Sequence, residues 1–412
     1  MRLLLVTHYW PPEYGPDPPI LHENAKHLQA MGVEVDVVAA LPSYPSGIVP
    51  RPYRNKLFMR ENVGGVSTLR TWTFSGPRER GALRVANQVS FDVSCLLAAV
   101  PPWRRYDHVL AVTPPLTLIP SAWLLSRMLR ARFSLQVMDL HPEAAVSAGL
   151  GHPYLIPPLR GLARFGYEKA RVIITASELI KEGVEAYGIE PRKVHFIPNG
   201  IDVNLFRPLD ANSPVEGLPE KQAGSLWAVF AGTMGRAHDV ESILQVASQL
   251  HHEGDPRWSF LLVGAGGQKR NIARSITERG LRNVKLMDPI PREHVPHLLA
   301  RADAVLVTLR DIEISRMAIP TKMYDGMACG RPIILGTRGE ARRVLMEADA
   351  GIAIEPEDAA GLLAALRRLQ AAPLLGVRYG ANGRRYAVEH YSRERCAARL
   401  HALLSDAVEP LP

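Results

Sequence analysis

Twice along its 412 residues the chain alternates short, wholly apolar runs with longer helical stretches, and this constrains its fold more than any other feature. In the first half, residues 3–7, 33–39, 109–112, 133–138 and 172–175 read as buried strands. Residues 20–31, 120–130 and 159–169 read as the helices between them. In the second half the strands are 227–231, 260–263, 284–287, 304–308, 333–335 and 352–354, with helices such as 240–250 and 295–301. Strands that are apolar on both faces must be covered on both faces, so the pattern predicts two parallel sheets flanked by helices. Between the halves runs a turn-rich stretch that includes Pro198-Asn199-Gly200, Pro208, Asn212-Ser213-Pro214 and Gly217-Leu218-Pro219, which reads as a linker over 201–224. The expected organisation is a domain over 1–200, the linker, a domain over 225–385 and a terminal helical segment over 386–412, broken near Tyr391-Ser392. Two doubly wound domains leave a cleft between them, and ligands of such sheets sit at the carboxyl ends of the strands.

Composition narrows the partners. Apolar residues make up 47% and charged residues 22%, enough to bury large cores. Cys95, Cys329 and Cys396 are odd in number and far apart, which fits neither a disulfide framework nor a metal spacing and points to a reducing cytoplasm. The opening run Met1–Thr7 is too short for a signal peptide, and no apolar run approaches the ~18 residues of a membrane span. The net charge of +8 favours anionic partners such as nucleotides, diphosphates or an acidic membrane surface. No zinc-finger spacing, RNA-binding aromatic motif or dense basic block singles out nucleic acid.

The segment Ile319 to Pro332 carries the sharpest chemistry. Pro320 and Thr321 are expected to cap a short helix that Gly330 closes. Lys322 sits in the first turn, where backbone N–H groups already favour an anion. Asp325, three residues on, shares its face and suits ribose hydroxyls better than phosphate. Phosphate plus ribose means a nucleotide. Gly232, Thr233, Gly235, Arg236 and His238 follow the first strand of the second half, in a turn that makes a plausible diphosphate cradle. Val263-Gly264-Ala265-Gly266-Gly267 lacks the third glycine of a dinucleotide fingerprint and reads as a turn.

In the first half, the loop Trp10–Asp17 after the first strand holds Gly15, where backbone can approach a ligand closely. Asp139, His141 and Glu143 close a buried strand and suit general-base or hydroxyl-orienting work. His22 and His27 lie five apart, not the four a zincin needs, and no other cluster suggests a catalytic metal. A Gly-x-Ser-x-Gly elbow is missing from the sequence. A basic and apolar run, 78–84 followed by 93–105, reads either as a core helix or as a peripheral membrane contact.

In their order and spacing these segments resemble retaining glycosyltransferases of family 4, with the GT-B fold, and above all the O-antigen and colanic-acid type branch. The resemblance is carried by Tyr9-Trp10-Pro11-Pro12-Glu13-Tyr14-Gly15, Pro42-Ser43-Tyr44-Pro45-Ser46-Gly47, Thr113-Pro114-Pro115-Leu116 and Asp139-Leu140-His141-Pro142-Glu143. It continues in Ile197-Pro198-Asn199-Gly200-Ile201-Asp202, Phe230-Ala231-Gly232-Thr233-Met234-Gly235 and the segment around Asp325. Three departures stand out. Met317 occupies the place of a usual glutamate eight residues before Asp325, Thr233 and His238 replace a usual arginine and lysine, and His141 stands where the branch often has tryptophan.

The resemblance implies two Rossmann-like domains facing across a cleft, the first for the acceptor and the second for the nucleotide-sugar, with a C-terminal helix crossing back to the first. It implies transfer of a hexosyl or N-acetylhexosaminyl group, with retention, to a glycan or polyprenyl-diphosphate-linked acceptor in cell-surface polysaccharide synthesis. No cofactor or metal is expected, because helix dipole and cations stabilise the leaving diphosphate. The expected catalytic residues are Asp139, His141 and Glu143. The expected donor-binding residues are Gly15, Gly232, Thr233, Gly235, Arg236, His238, Thr321, Lys322 and Asp325. The expected location is cytoplasmic, peripheral on the inner face of the plasma membrane. A sugar-nucleotide epimerase of the same fold, or a non-catalytic nucleotide-sugar-binding protein, are the alternatives.

Overall fold

A computed structural model describes residues 1–13, 15, 17–44, 46–76, 81–98, 105–147, 153–211, 215–255 and 257–406. The chain divides into two compact units, Met1–Asn199 with Arg393–Pro412, and Gly200–Ser392.

Unit 1 runs β1 (Arg2–Thr7), α1 (Asp17–Ala30), β2 (Glu34–Ala40), β3 (Phe58–Val63), β4 (Val66–Thr71), α2 (Gly81–Ala98) and β5 (His108–Thr113). It continues with α3 (Leu118–Met128), β6 (Arg132–Val137), α4 (Glu143–Ser147), α5 (Ile156–Lys169), β7 (Val172–Thr175), α6 (Glu178–Glu185) and β8 (Val194–Phe196). Its sheet has the order β3-β4-β2-β1-β5-β6-β7-β8. All neighbours are parallel except β3 and β4, which pair antiparallel from Phe58↔Thr71 to Val63↔Val66. The central strands β5 and β7 are buried at every residue, which is why they read as continuous apolar runs. The edge strand β3 alternates exposed and half-buried positions.

Unit 2 runs β9 (Leu226–Ala231), α7 (Glu241–His252), β10 (Trp258–Val263), α8 (Lys269–Glu278), β11 (Val284–Met287), α9 (Val295–Ala300), β12 (Ala304–Thr308) and α10 (Glu313–Met317). Then come α11 (Thr321–Ala328), β13 (Ile333–Gly336), α12 (Glu340–Glu347), β14 (Gly351–Ile354), α13 (Ala359–Ala371) and α14 (Pro373–His390). The sheet is wholly parallel in the order β11-β10-β9-β12-β13-β14, a doubly wound sheet whose strand order reverses between β9 and β12. Phe230, Trp258, Phe260, Leu262, Leu306 and Ile334 fill its core.

The final helix, α15 (Arg393–Asp406), belongs to unit 1. Its Cys396, Leu400 and Leu404 join the core of Leu3, Leu5 and Leu110. Buried Arg393 forms an ion pair with Glu23 of α1. The expected boundary at residue 386 falls inside α14, and the chain changes unit between Ser392 and Arg393. The stretch 201–224 belongs to unit 2. Phe206 is buried there, Arg384 donates to the carbonyls of Val203 and Phe206, and Lys221 pairs with Asp303 at 2.5 Å. Described parts of this stretch thus pack against unit 2. Among the described residues no helix is long and apolar enough to cross a membrane.

Candidate active site

In unit 2 the functional side chains gather at the carboxyl ends of β9 and β10 and the start of α11. Pro320 holds the position before the helix with extended backbone, and no side chain caps it. Thr321 is thus the first helical residue rather than a cap, which corrects the sequence expectation. No side chain caps the leading N–H groups at Thr321 and Lys322, while the Met323 N–H is taken by Pro320 O at 2.9 Å, so the helix start retains a capacity for an anion.

Lys322 is buried, and its Nζ lies 3.8 Å from the centroid of the Phe230 ring. A β-carbon on Gly232 would make only ordinary contact with Lys322, 3.4 Å from Cε and 3.7 Å from Nζ, so it is the backbone, at φ +142°, that favours glycine beside the lysine. Neither Lys322 Nζ nor Asp325 Oδ1 has a hydrogen-bond partner among the described residues, although both atoms are out of solvent. Burial brings the Lys322 ammonium down to about 7, against the opposing pull of Asp325. Burial likewise pushes the Asp325 carboxyl up to about 7, against the charges of Arg292 and Lys322. A buried donor and a buried acceptor one helical turn apart, both unmet, form a site built for a ligand that supplies the missing partners.

His238 completes the wall. Its ring stands edge-on to Phe230, with centroids 6.0 Å apart. Its Nδ1 accepts from the Gly235 N–H at 3.4 Å. Burial, then the nearby Lys322 charge, push its pKa down to about 3. The imidazole is therefore neutral with its proton on Nε2, a donor and not a cation. Thr233 and Arg236 lie exposed on the same loop, and Gly235 is half-buried.

The glycines at 264 and 266 have a role the sequence reading missed. Gly232 N donates to Val263 O at 2.9 Å, Met234 N to Ala265 O at 2.7 Å and Gln268 N to Met234 O at 3.0 Å. A β-carbon on Gly264 would stand 1.9 Å from Gly232 O. The Gly264 turn is thus the backing plate that sets the 232–238 loop.

In unit 1 a second polar group gathers at the ends of β1 and β6. Burial raises the Asp139 carboxyl, while His141 acts to lower it. Burial lowers His141, against Asp139 and Glu143. Asp17, in the first turn of α1, is pushed up to about 7 by burial and by the charge of Asp139. Glu143, at the start of α4, faces Arg160 at 3.1 Å and accepts from Tyr187 Oη at 3.0 Å. The structure therefore sets Asp139 beside both His141 and Asp17, the last of which sequence reasoning passed over, and engages Glu143 in a structural network. Asp17 looked like an ordinary acidic residue at a helix start, and only the fold sets it against Asp139.

Gly15, exposed in the β1–α1 loop, takes φ +155°. That loop is pinned by buried Glu13, which accepts from Ser43 N at 2.8 Å, Tyr44 N at 2.9 Å and Trp10 N at 3.3 Å. Buried Arg70 adds bonds to Glu61 at 2.7 Å and to the carbonyl of Pro11. No group of three or more His, Cys, Asp or Glu side chains among the described residues could hold a metal ion.

Comparison with known proteins places both units. Residues 19–200 match the family described as "Glycosyl transferase 4-like domain", and residues 226–372 match "Glycosyl transferases group 1". WcaI of Escherichia coli (strain K12), named for a glycosyl transferase of colanic acid biosynthesis, is 26% identical over 96% of this chain and 97% of its own length. WbjE of Pseudomonas aeruginosa, named as a glycosyltransferase, is 27% identical over 80% of this chain and 82% of its own. Among solved structures, sucrose-phosphate synthase from Thermosynechococcus elongatus superposes with TM-score 0.74 at 18% identity, covering 98% of both chains. Anabaena Alr3699/HepE, solved with UDP and glucose, gives TM-score 0.72 at 15% identity, covering 98% of this chain and 100% of its own.

Proposed function

Since the chain belongs to the family-4, group 1 glycosyltransferases of the GT-B fold, we propose that it moves a sugar from a nucleotide-sugar donor, with retention, to a glycan or polyprenyl-diphosphate-linked acceptor of cell-surface polysaccharide. The observation that carries the donor assignment is the unmet pair Lys322 and Asp325. A nucleoside diphosphate supplies what each lacks: phosphate oxygens for the ammonium and ribose hydroxyls for the carboxylate. The complexes of HepE with UDP and with UDP-glucose support the same donor class.

In this reading the first-turn N–H groups of α11, Lys322 and the neutral Nε2–H of His238 gather on the diphosphate. They stabilise the charge that grows as the bond between the anomeric carbon and the phosphate oxygen breaks. Thr233, Arg236 and the glycines at 232 and 235 line the approach within unit 2. Asp139 and His141 orient the acceptor hydroxyl and take its proton, with Glu143 holding the start of α4 behind them. No metal enters, and the sugar is a hexosyl or N-acetylhexosaminyl group. The protein works in the cytoplasm, on a membrane surface where a lipid-linked acceptor is met.

Met317, half-buried at the end of α10, keeps a non-catalytic nucleotide-sugar binder as the second reading. Nucleotide-sugars incubated with and without acceptor separate the two. Diphosphate release that depends on acceptor supports transfer, and binding without turnover refutes it.

A further inference from the structure

Beyond the carboxyl ends of β1 and β2, a row of rings leads from the core of unit 1 to its surface. Phe91 of α2 and His8 are fully buried, Tyr9 is half-buried and Tyr44 is 43% exposed. Each ring stands edge-on to the next. Phe91 and His8 have centroids 5.3 Å apart, His8 and Tyr9 4.8 Å, and Tyr9 and Tyr44 5.8 Å. In an edge-to-face pair each ring keeps at least one face clear of its partner. Of the run 78–84 and 93–105, which reads from sequence as a core helix or a peripheral membrane contact, residues 78–80 and 99–104 lie outside the described residues. Helix α2 holds most of the rest, and its Phe91 and Asn87 back the row of rings.

Buried polar groups fix the row from behind. The Asn87 amide nitrogen donates to Phe74 O at 2.6 Å, so its oxygen accepts from His8 Nε2 at 3.0 Å. Thr7 Oγ1 accepts the Tyr9 N–H at 3.3 Å and donates to the Tyr9 carbonyl at 3.1 Å. Glu13 accepts from the N–H groups of Ser43 and Tyr44, and burial raises its carboxyl in spite of those bonds. A carboxyl is thus taken out of water to fix the backbone of a ring that itself stays in water, which packing alone rewards little. The ring also borders the polar group of unit 1. A β-carbon on Gly15 would lie 3.8 Å from Tyr44 Cε1 and 3.7 Å from Pro18 Cδ. The glycine therefore sits between the Tyr44 ring and the start of α1, where Asp17 stands beside Asp139.

We propose that Tyr44, with Tyr9 beside it, is a stacking subsite for a pyranose ring of the acceptor glycan. The face of an aromatic ring is negative, and a pyranose offers it a face of weakly positive C–H bonds. The hydroxyls around the rim of the sugar then find donors and acceptors in Asp17, Asp139 and His141. Those neighbours select the occupant, because a phosphate would meet two carboxyl groups there while a hydroxyl pairs with either of them. A nucleobase fits an aromatic face as well, and the experiment below separates it from a sugar. The inference rests on the proposed transfer for the identity of its ligand, and it narrows the acceptor. The accepting end carries a sugar already, and a bare polyprenyl diphosphate, which offers the ring no such face, is not a substrate.

Saturation-transfer NMR on the full chain tests it, with the methyl glycosides of glucose, galactose, mannose, fucose and N-acetylglucosamine as probes. At least one glycoside should take up saturation, most strongly at its ring C–H protons. Tyr44→Ala should weaken that glycoside at least about fivefold, and Tyr44→Phe should hold it within about twofold, because the contact uses the ring and not the hydroxyl. Affinity for UDP and GDP, measured by calorimetry, reports on unit 2 and should not move. Four results each overturn the proposal: no glycoside bound by the wild type, binding undiminished in Tyr44→Ala, equal losses in Tyr44→Phe and Tyr44→Ala, or a matching loss of UDP or GDP affinity, which would make the ring a nucleobase platform. The assay needs no turnover, so the two readings fail separately. Glycoside binding at Tyr44 without acceptor-dependent turnover supports the subsite and refutes transfer, and turnover that Tyr44→Ala leaves intact does the reverse.

Discussion

Replacing Lys322 by methionine should make the protein more stable and a worse binder of nucleotide. In the folded chain Lys322 is buried over the Phe230 ring, with no hydrogen-bond acceptor among the described residues. Bringing a lysine from 10.5 down to about 7 costs about 4 kcal/mol of folding free energy at pH 7. The ring contact offsets about 1–2 kcal/mol of this, and methionine fills the same volume without charge. The nucleotide-free variant should therefore gain about 2–3 kcal/mol at pH 7 by urea denaturation. Between about pH 7 and 10.5 the unfolded wild type binds more protons than the folded one, so wild-type stability rises with pH. The advantage of the variant should then shrink steadily and vanish near the upper limit. Nucleoside diphosphate affinity, by calorimetry, should fall by about 1.5–3 kcal/mol, the value of hydrogen bonds to a charged group. A variant that is less stable than wild type at every pH would refute the reasoning. Lys322 would then be a satisfied structural cation rather than one awaiting an anion.

Four further outcomes follow from the same geometry. Asp325→Ala should weaken nucleoside diphosphate binding by about 1.5–3 kcal/mol, measured by calorimetry, and unchanged affinity would remove it from the site. Asp139→Asn should bring the Asp17 carboxyl down from about 7, because it removes the negative charge that helps burial hold Asp17 protonated; an unchanged Asp17 titration by NMR would contradict the pairing. Gly264→Ala should cost about 1–3 kcal/mol in stability and weaken nucleotide binding, since its β-carbon collides with the Gly232 carbonyl that sets the diphosphate loop. Transfer should survive excess chelator, and abolition with rescue by Mg²⁺ or Mn²⁺ would show a metal in the reaction.

The sheets were legible because central parallel strands are apolar on both faces. Residues 172–175, 284–287 and 304–308 agree with β7, β11 and β12 to the residue. The antiparallel β3–β4 hairpin was not seen. Phe58–Val63 carries Arg60, Glu61 and Asn62 on an edge strand whose half-exposed pattern resembles a polar loop. Lys322 and Asp325 were found through the chemistry of a helix start, but their burial was not, because a lysine and an aspartate signal solvent in any local pattern. Gly264 read as a bare turn because its constraint is a carbonyl more than thirty residues away. Asp17 was passed over for the same reason: its partner Asp139 comes from β6, two strands away in the sheet from β1. Sequence pattern reports the periodicity of an element well and long-range encounters poorly.

The central claim, acceptor-dependent transfer from a nucleotide-sugar held by Lys322 and Asp325, is tested most directly by one turnover experiment. A panel of nucleotide-sugars is incubated with glycan and polyprenyl-diphosphate-linked acceptors, and nucleoside diphosphate release and acceptor glycosylation are followed together for wild type and Asp325→Asn. The account predicts that one donor gives release matched mole for mole by glycosylated acceptor, dependent on acceptor and strongly reduced in the variant. Conversion of the sugar-nucleotide without acceptor, or binding without any turnover across the panel, would contradict it.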